Sequence, residues 1–179
     1  MPRHLKQEIA LLVALLGPLN KRIASLDRQL VEISRKDDVV KRLMTMPGVG
    51  PVIAVCFVAT LDRVDRFRGP HQVESYLGLV PREWSSSEIQ RRGHITKAGN
   101  TRMRSLLVEA ARCVMRGKKK PETATLREWG ERIAHRRGKS IAAVAVARRM
   151  AGILYAIWRD ESVYEPETLR GRISAARAA

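Results

Sequence analysis

The chain has 179 residues, and its 34 Lys and Arg outweigh 18 Asp and Glu for a formal net charge of +16 and a pI near 11.0. That excess draws phosphate-rich polymers by counterion release, which puts nucleic acid first among partners and an anionic membrane surface second. Cys56 and Cys113 belong to no C-x-x-C or Cys/His cluster, which argues against a zinc-finger scaffold and leaves buried free thiols in a reducing cytosol as the expectation.

The first residues, MPRHLKQEIA, lack the apolar core and cleavage site of a signal peptide, and no run approaches the roughly 18 apolar residues of a membrane span. A soluble cytoplasmic protein without a membrane partner is expected. From residue 9 the apolar positions follow a heptad register, with Ile9, Leu16, Ile23 and Leu30 in one row and Leu12, Leu19, Leu26, Ile33 and Val40 in the other. This is a coiled-coil seam, and it predicts either a homo-oligomer through the N-terminal helix or packing onto the chain's own core. Gly17-Pro18 predicts a kink or short break, with a longer helix from about Leu19 to Met44, and the first row fails at Asp37.

In LMTMPGVGPVIAVCFVATLDRVDRF, residues 43–67, a helix end meets a Pro-Gly-x-Gly-Pro turn and a second apolar helix starts at about Pro51. The amide groups around Gly48 and Gly50 could hold a backbone phosphate in the manner of a helix-hairpin-helix, or the turn could join two core helices with no ligand. A short helix over Val73 to Leu77 exits through Gly78 and Pro81 into PREWSSSEIQRRGHITKAGN, residues 81–100, which reads as a polar loop.

Asn100 is placed to cap a helix over TRMRSLLVEAARCVMR, with Met103, Leu106, Leu107, Ala110, Ala111 and Val114 on its apolar face. Cations are disfavoured at a helix N-terminus unless an anion offsets them, so Arg102 and Arg104 in its opening turns suggest a bound phosphate. Basic turns flank a short helix around Leu126 to Ala134, and a last helix from Ile141 to Asp160 is apolar on most faces, as a core helix is. With no strong period-2 pattern and no internal repeat, the expected fold is all-α. It comprises a long coiled-coil-type arm over residues 1–42, a compact helical domain with a helix-hairpin-helix-like turn over 43–166, and a flexible tail over 167–179.

Three serines in a loop are by themselves ordinary turn residues. The runs LMTMPGVGPVIAVCFVATL, RFRGPHQVESYLGLVPREWSSSEIQRRGHITKAGNTRMRSLLVEAA and IAAVAVARRMAGILYAIWRD…YEP, in this order, resemble the C-terminal region of bacterial insertion-sequence transposases of the one-ten, one-sixteen and nine-oh-two type. The resemblance covers roughly residues 43–166, and the heptad segment resembles the connecting coiled coil of that family. It implies a DNA recombinase, in some members guided by a structured RNA. An N-terminal RuvC-like domain there binds divalent metal through four carboxylates, and the C-terminal region supplies a serine nucleophile.

The family's serine stands five residues after the proline of a G-L-x-P motif and is usually followed by glycine, which maps onto Ser86 of G-L-V-P-R-E-W-S-S-S. Here Ser87 replaces that glycine, so Ser85 and Ser87 stay as alternatives. A serine Oγ attacking a phosphodiester needs cations where charge accumulates in the transition state. Arg91, Arg92, Lys97, Arg102 and Arg104 are the candidate suppliers, and with Gly48, Gly50, Arg82 and Asn100 they complete the expected nucleic-acid contacts. His94 is nearby, but a lone histidine in a basic loop is more often solvated than a base. The 18 acidic residues are scattered, so no metal or other cofactor is expected in this chain, which is read as the C-terminal half of a transposase that binds DNA but needs the metal-binding domain to recombine it.

Overall fold

The apolar heptads, the cap residues and the punctuating prolines and glycines lead to a largely helical chain in a computed structural model. It describes residues 2–86, 89–118 and 120–166, the side chains of Arg3 and of residues 84–92 excepted. Helix α1 spans Arg3–Lys36, about 50 Å at 1.5 Å per residue. The break expected at Gly17-Pro18 does not occur, since Pro18 lies inside the helix. Proline leaves the Ala14 carbonyl without its helical donor, but both residues are exposed, so water can serve instead.

The chain breaks later, at Asp37, which is extended and whose carboxylate accepts the Val40 N–H at 3.0 Å to open helix α2, Asp38–Leu43. The expected helix from Leu19 to Met44 is therefore two helices, divided where the first heptad row fails. Ile9, Leu12, Leu16, Leu19, Ile23, Leu26 and Ile33 are all exposed, and only Val40, in α2, reaches the core. Among the described residues the seam from Ile9 to Leu26 is left uncovered, while towards its end Leu30 is half-buried and α1 packs on α3.

Helix α3, Pro51–Leu61, starts with proline at its first position and buries Ala54, Phe57 and Leu61. A single 3-10 turn, Val64–Arg66, leads to helix α4, Pro70–Tyr76. The polar loop expected next is instead an antiparallel hairpin of strands β1, Pro81–Ser86, and β2, Ile89–Ile95. The strands pair along their backbones, and PREWSS and IQRRGHI offer no apolar face for a period-2 reading to detect.

Helices α5, Thr101–Arg116, α6, Pro121–Arg137, and α7, Lys139–Arg159, complete the order, and α6 is longer at both ends than the Leu126 to Ala134 expected for it. Helix α7 is the centre of the body: α4, α5 and α6 pack against it, and it buries Ala142, Val146, Met150, Leu154 and Tyr155 among others. Its small residues admit close neighbours. A Cβ on Gly130 of α6 would meet Val146 Cγ2 at 2.8 Å, so glycine there sets how near α6 can lie. The Tyr155 hydroxyl donates to the Phe67 carbonyl at 2.7 Å, which satisfies the largest fully buried side chain.

By length and composition α1 and α7 could both cross a membrane, contrary to the count of consecutive apolar residues. One or two charges interrupt a run of apolar residues in such a helix while leaving its 18-residue mean hydropathy high. The α7 stretch is half buried against the rest of the chain, as a core helix would be.

Candidate functional site

The hairpin is rooted by backbone contact. Past α4 the chain turns at Gly78, with φ +68, while Leu79 N–H donates to the Glu74 carbonyl at 2.9 Å. The returning leg bonds Thr96 N–H to the Val80 carbonyl at 2.9 Å and Lys97 N–H to the Gly78 carbonyl at 3.2 Å, then turns at Gly99, φ +78. A Cβ on Gly78 would run into the Ala98 backbone, and one on Gly99 into the Tyr76 carbonyl oxygen. Two legs cross where only glycine fits.

Arg104 holds both legs against α5. Its Nη1 donates to the carbonyls of Leu77 and Ala98, each at 3.0 Å, and its Nη2 donates to Thr101 Oγ1 at 3.2 Å. The side chain was expected to face a phosphate; instead it is 8% exposed and its donors serve the fold. One guanidinium thus joins the entry of the hairpin, its exit and the helix that follows.

Asn100 is the N-cap that the sequence predicts, accepting the Met103 N–H at 2.9 Å, and its Nδ2 donates to Thr60 Oγ1 at 3.4 Å. Its side chain is accordingly engaged with protein atoms. Asn100→Ala is expected to cost about 1 kcal/mol and lower the melting temperature by about 2–4 °C, as thermal unfolding monitored by circular dichroism would show.

On the strands, the backbone register pairs Pro81 with Ile95, Glu83 with Arg92, Trp84 with Arg91, Ser85 with Gln90 and Ser86 with Ile89. Ser86 belongs to the last pair before residues 87 and 88, and Ser87 lies outside the described residues. Arg91 and Arg92 follow Ile89 by about 7 and 10 Å along the neighbouring strand. Arg82 is exposed, and its Nη2 reaches the Thr96 carbonyl at 3.4 Å. Lys97, with φ +57, and Arg102 are exposed at the hairpin root and the start of α5, as is His94 on β2.

The structure does not bring the Gly48–Gly50 turn to this cluster. Gly48, φ +83, packs on the far half of α5, where a Cβ would meet Val114 Cγ2 at 2.9 Å and the Ala110 carbonyl oxygen at 3.2 Å. These residues lie about 15–20 Å along the helix from Asn100. Gly50 caps α3, and it is the other end of α3, at Thr60, that meets Asn100. The contacts of the turn are those of a tight connection between core helices.

No three His, Cys, Asp or Glu side chains among the described residues stand where they could hold a metal ion. The carboxylate tetrad implied by the resemblance therefore has no counterpart among them. Arg104 and the buried Glu74, whose carboxylate accepts from Arg148 Nε at 2.6 Å, are the functional-looking residues whose structural engagement the sequence reading missed.

Comparison with known proteins gives a consistent set of matches. The family model described as Transposase IS116/IS110/IS902 family matches residues 40–127, from the end of the second heptad row through the hairpin and α5 into α6. The chain is 37% identical to a probable family 20 transposase of Pseudomonas aeruginosa over 164 residues, which is 92% of this chain and 46% of that protein. It is 30% identical over 146 residues to the transposase for insertion sequence element IS1111A of Coxiella burnetii, covering 81% of this chain and 40% of the relative. The transposase for insertion sequence element IS1328 of Yersinia enterocolitica is 26% identical over 92% of this chain and 49% of its own length. The chain spans about half the length, or less, of these curated relatives.

Proposed function

Because the chain belongs to the IS116/IS110/IS902 transposase family, we propose that its hairpin is the serine-bearing arm of a DNA strand-transfer site, with Ser86 the nucleophile. The observation that carries this reading is the register that ends the ladder at Ser86, on a root fixed by Gly78, Gly99 and Arg104. A nucleophile has to be held still relative to its target, and a hairpin clamped at both legs meets that requirement better than a free loop.

In the proposed step Ser86 Oγ bonds to a phosphorus of DNA and the bond from that phosphorus to a deoxyribose oxygen breaks. The serine hydroxyl loses its proton to water and the departing oxygen gains one. Negative charge grows on the phosphoryl oxygens during attack, and Arg91, Arg92, Lys97, Arg102 and Arg82 are the cations set to offset it. Arginine suits this because its planar fork can hold two oxygens and stays charged at any physiological pH. Arg104 and Asn100 act on the fold of the site instead, and Gly48 packs on the far half of α5. No step is assigned to a metal, since the residues described do not fit one. Full recombination in this reading draws on carboxylates outside them, and the action on DNA would take place in the cytoplasm.

DNA is the proposed partner, and a guide RNA would meet the same cations through the same phosphate chemistry. The apolar rows of α1, exposed over Leu12, Leu16, Leu19, Ile23 and Leu26, favour a second copy of the chain as their cover. Sedimentation equilibrium is expected to report a dimer or larger species that Leu16→Glu with Ile23→Glu converts to monomer. A wild-type monomer across the concentration range would remove the oligomer from the proposal.

The catalytic reading is tested by covalent trapping on nicked DNA carrying element ends, with the RuvC-like domain of a full-length relative supplied in trans. The expected product is a phosphoserine adduct mapping to Ser86. Salt-sensitive DNA binding with no adduct under any condition would reduce the chain to a binding module.

A further inference from the structure

A second basic site lies away from the hairpin, in a groove between α4, α6 and α7. It has a volume of about 380 Å³, and Pro70, Glu74, Trp129, Arg148, Arg149 and Ile153 line it. Among the described residues, none of the hairpin or of the leg returning to α5 belongs to its wall.

The two arginines are held differently. Arg148 is bound by the buried Glu74 carboxylate, 2.6 Å from its Nε, and His71 approaches the same carboxylate at 3.1 Å. Arg149 lies with its guanidinium carbon 5.1 Å from the centroid of the Trp129 ring. Its Nε is buried without a hydrogen-bond partner, and no ion pair to it occurs among the described residues. Burial accordingly pushes its pKa below the usual arginine value, with the charge of Glu74 opposing the shift.

Two guanidinium groups against one carboxylate leave the groove with one uncompensated positive charge. A half-buried cation of this kind is costly unless an anion completes it. Stacking on Trp129 offsets part of the cost and orients the planar fork, and Pro70, Ile153 and the exposed part of Trp129 give the groove apolar walls.

We propose that this groove binds one phosphodiester of a nucleic-acid strand, with Arg149 as the phosphate contact and Arg148 fixed beside it by Glu74. A single phosphodiester carries one negative charge, which matches the uncompensated charge of the groove. The apolar walls suit the adjoining deoxyribose, and the +16 formal charge of the chain selects a polyanion over an isolated carboxylate. This inference rests on the nucleic-acid reading above and adds to it a contact on α7, outside the cations already named around the serine. The bound strand would therefore cover α7 as well as the hairpin.

The test is binding of a fluorescent 20-bp DNA duplex to the full chain over a range of salt. Arg149→Gln is expected to weaken binding about tenfold and reduce the slope of log affinity against log salt by about 0.9, the loss of one phosphate contact. Arg149→Lys keeps the charge but loses the fork, and is expected to weaken binding about fivefold. Arg112→Gln, at an exposed arginine already paired with Glu109, serves as the control and is expected to change affinity less than twofold.

Modification of the wild-type chain by phenylglyoxal gives a second measurement that no folding defect can distort. Arg149 is expected to react at least about fivefold more slowly with duplex bound, and Arg112 at an unchanged rate. Arg149 variants that bind as wild type, or equal modification with and without duplex, overturn the groove. If Arg102→Gln still weakens binding in that case, the hairpin reading stands without it. A wild-type chain that does not bind duplex at low salt removes both.

Discussion

Ser86→Ala is expected to abolish the covalent protein–DNA adduct and to lower strand transfer by ~10³-fold or more, because the covalent bond is made through the hydroxyl it removes. The adduct is the decisive readout, since a site that only binds DNA forms none. Removing one hydroxyl leaves the backbone pairs from Pro81 to Ser86 intact, so DNA affinity and melting temperature should stay close to wild type. Ser85→Ala, at the pair with Gln90, is expected to change strand transfer less than about threefold. An adduct that survives Ser86→Ala and disappears in Ser85→Ala or Ser87→Ala moves the nucleophile by one position.

Gly99→Ala is expected to have the largest effect on stability, about 3 kcal/mol or more, seen as a fall of roughly 10 °C in melting temperature. Two terms combine. The positive φ of +78 costs about 1 kcal/mol for a residue with a Cβ, and that Cβ would also overlap the Tyr76 carbonyl. Backbone cannot rotate out of the way as a side chain can, so the crossing of the hairpin legs has to open. Gly138→Ala separates the terms: φ is +86 there, but no atom lies within 4 Å of the added Cβ. Its expected cost is about 1 kcal/mol. Equal melting temperatures for the two variants would show that contact at the hairpin root contributes little.

Much of this fold was legible where local signals and burial agree. Asn100 before an apolar face, Pro51 after Gly50, and the alanine-rich run of α7 each gave the element the structure contains. The hairpin was not legible, because a period-2 reading depends on an alternation of apolar and polar residues that PREWSS and IQRRGHI do not show. Pro18 misled for the opposite reason: its local penalty is real but affects one carbonyl in a 34-residue helix.

At the site, the candidate serine was legible only through the resemblance, since its surroundings in sequence are those of a turn. The structural role of Arg104 had a signal that charge obscured. It lies three and seven residues before Leu107 and Ala111, in phase with the buried face of α5, where an arginine is expected to spend its donors on protein acceptors. The Glu74–Arg148 pair had none, because 74 residues separate its members.

The clamp formed by Arg104 has a mechanical consequence. From Pro81 to Ser86 the strand extends about 20 Å, so the hairpin acts as a lever pivoting close to the Leu77 and Ala98 carbonyls. A tilt of ~3° at the pivot displaces the tip by ~1 Å, the scale on which reacting groups lose alignment. The fit of Arg104 between the two carbonyls therefore sets how accurately the far end of the hairpin is aimed.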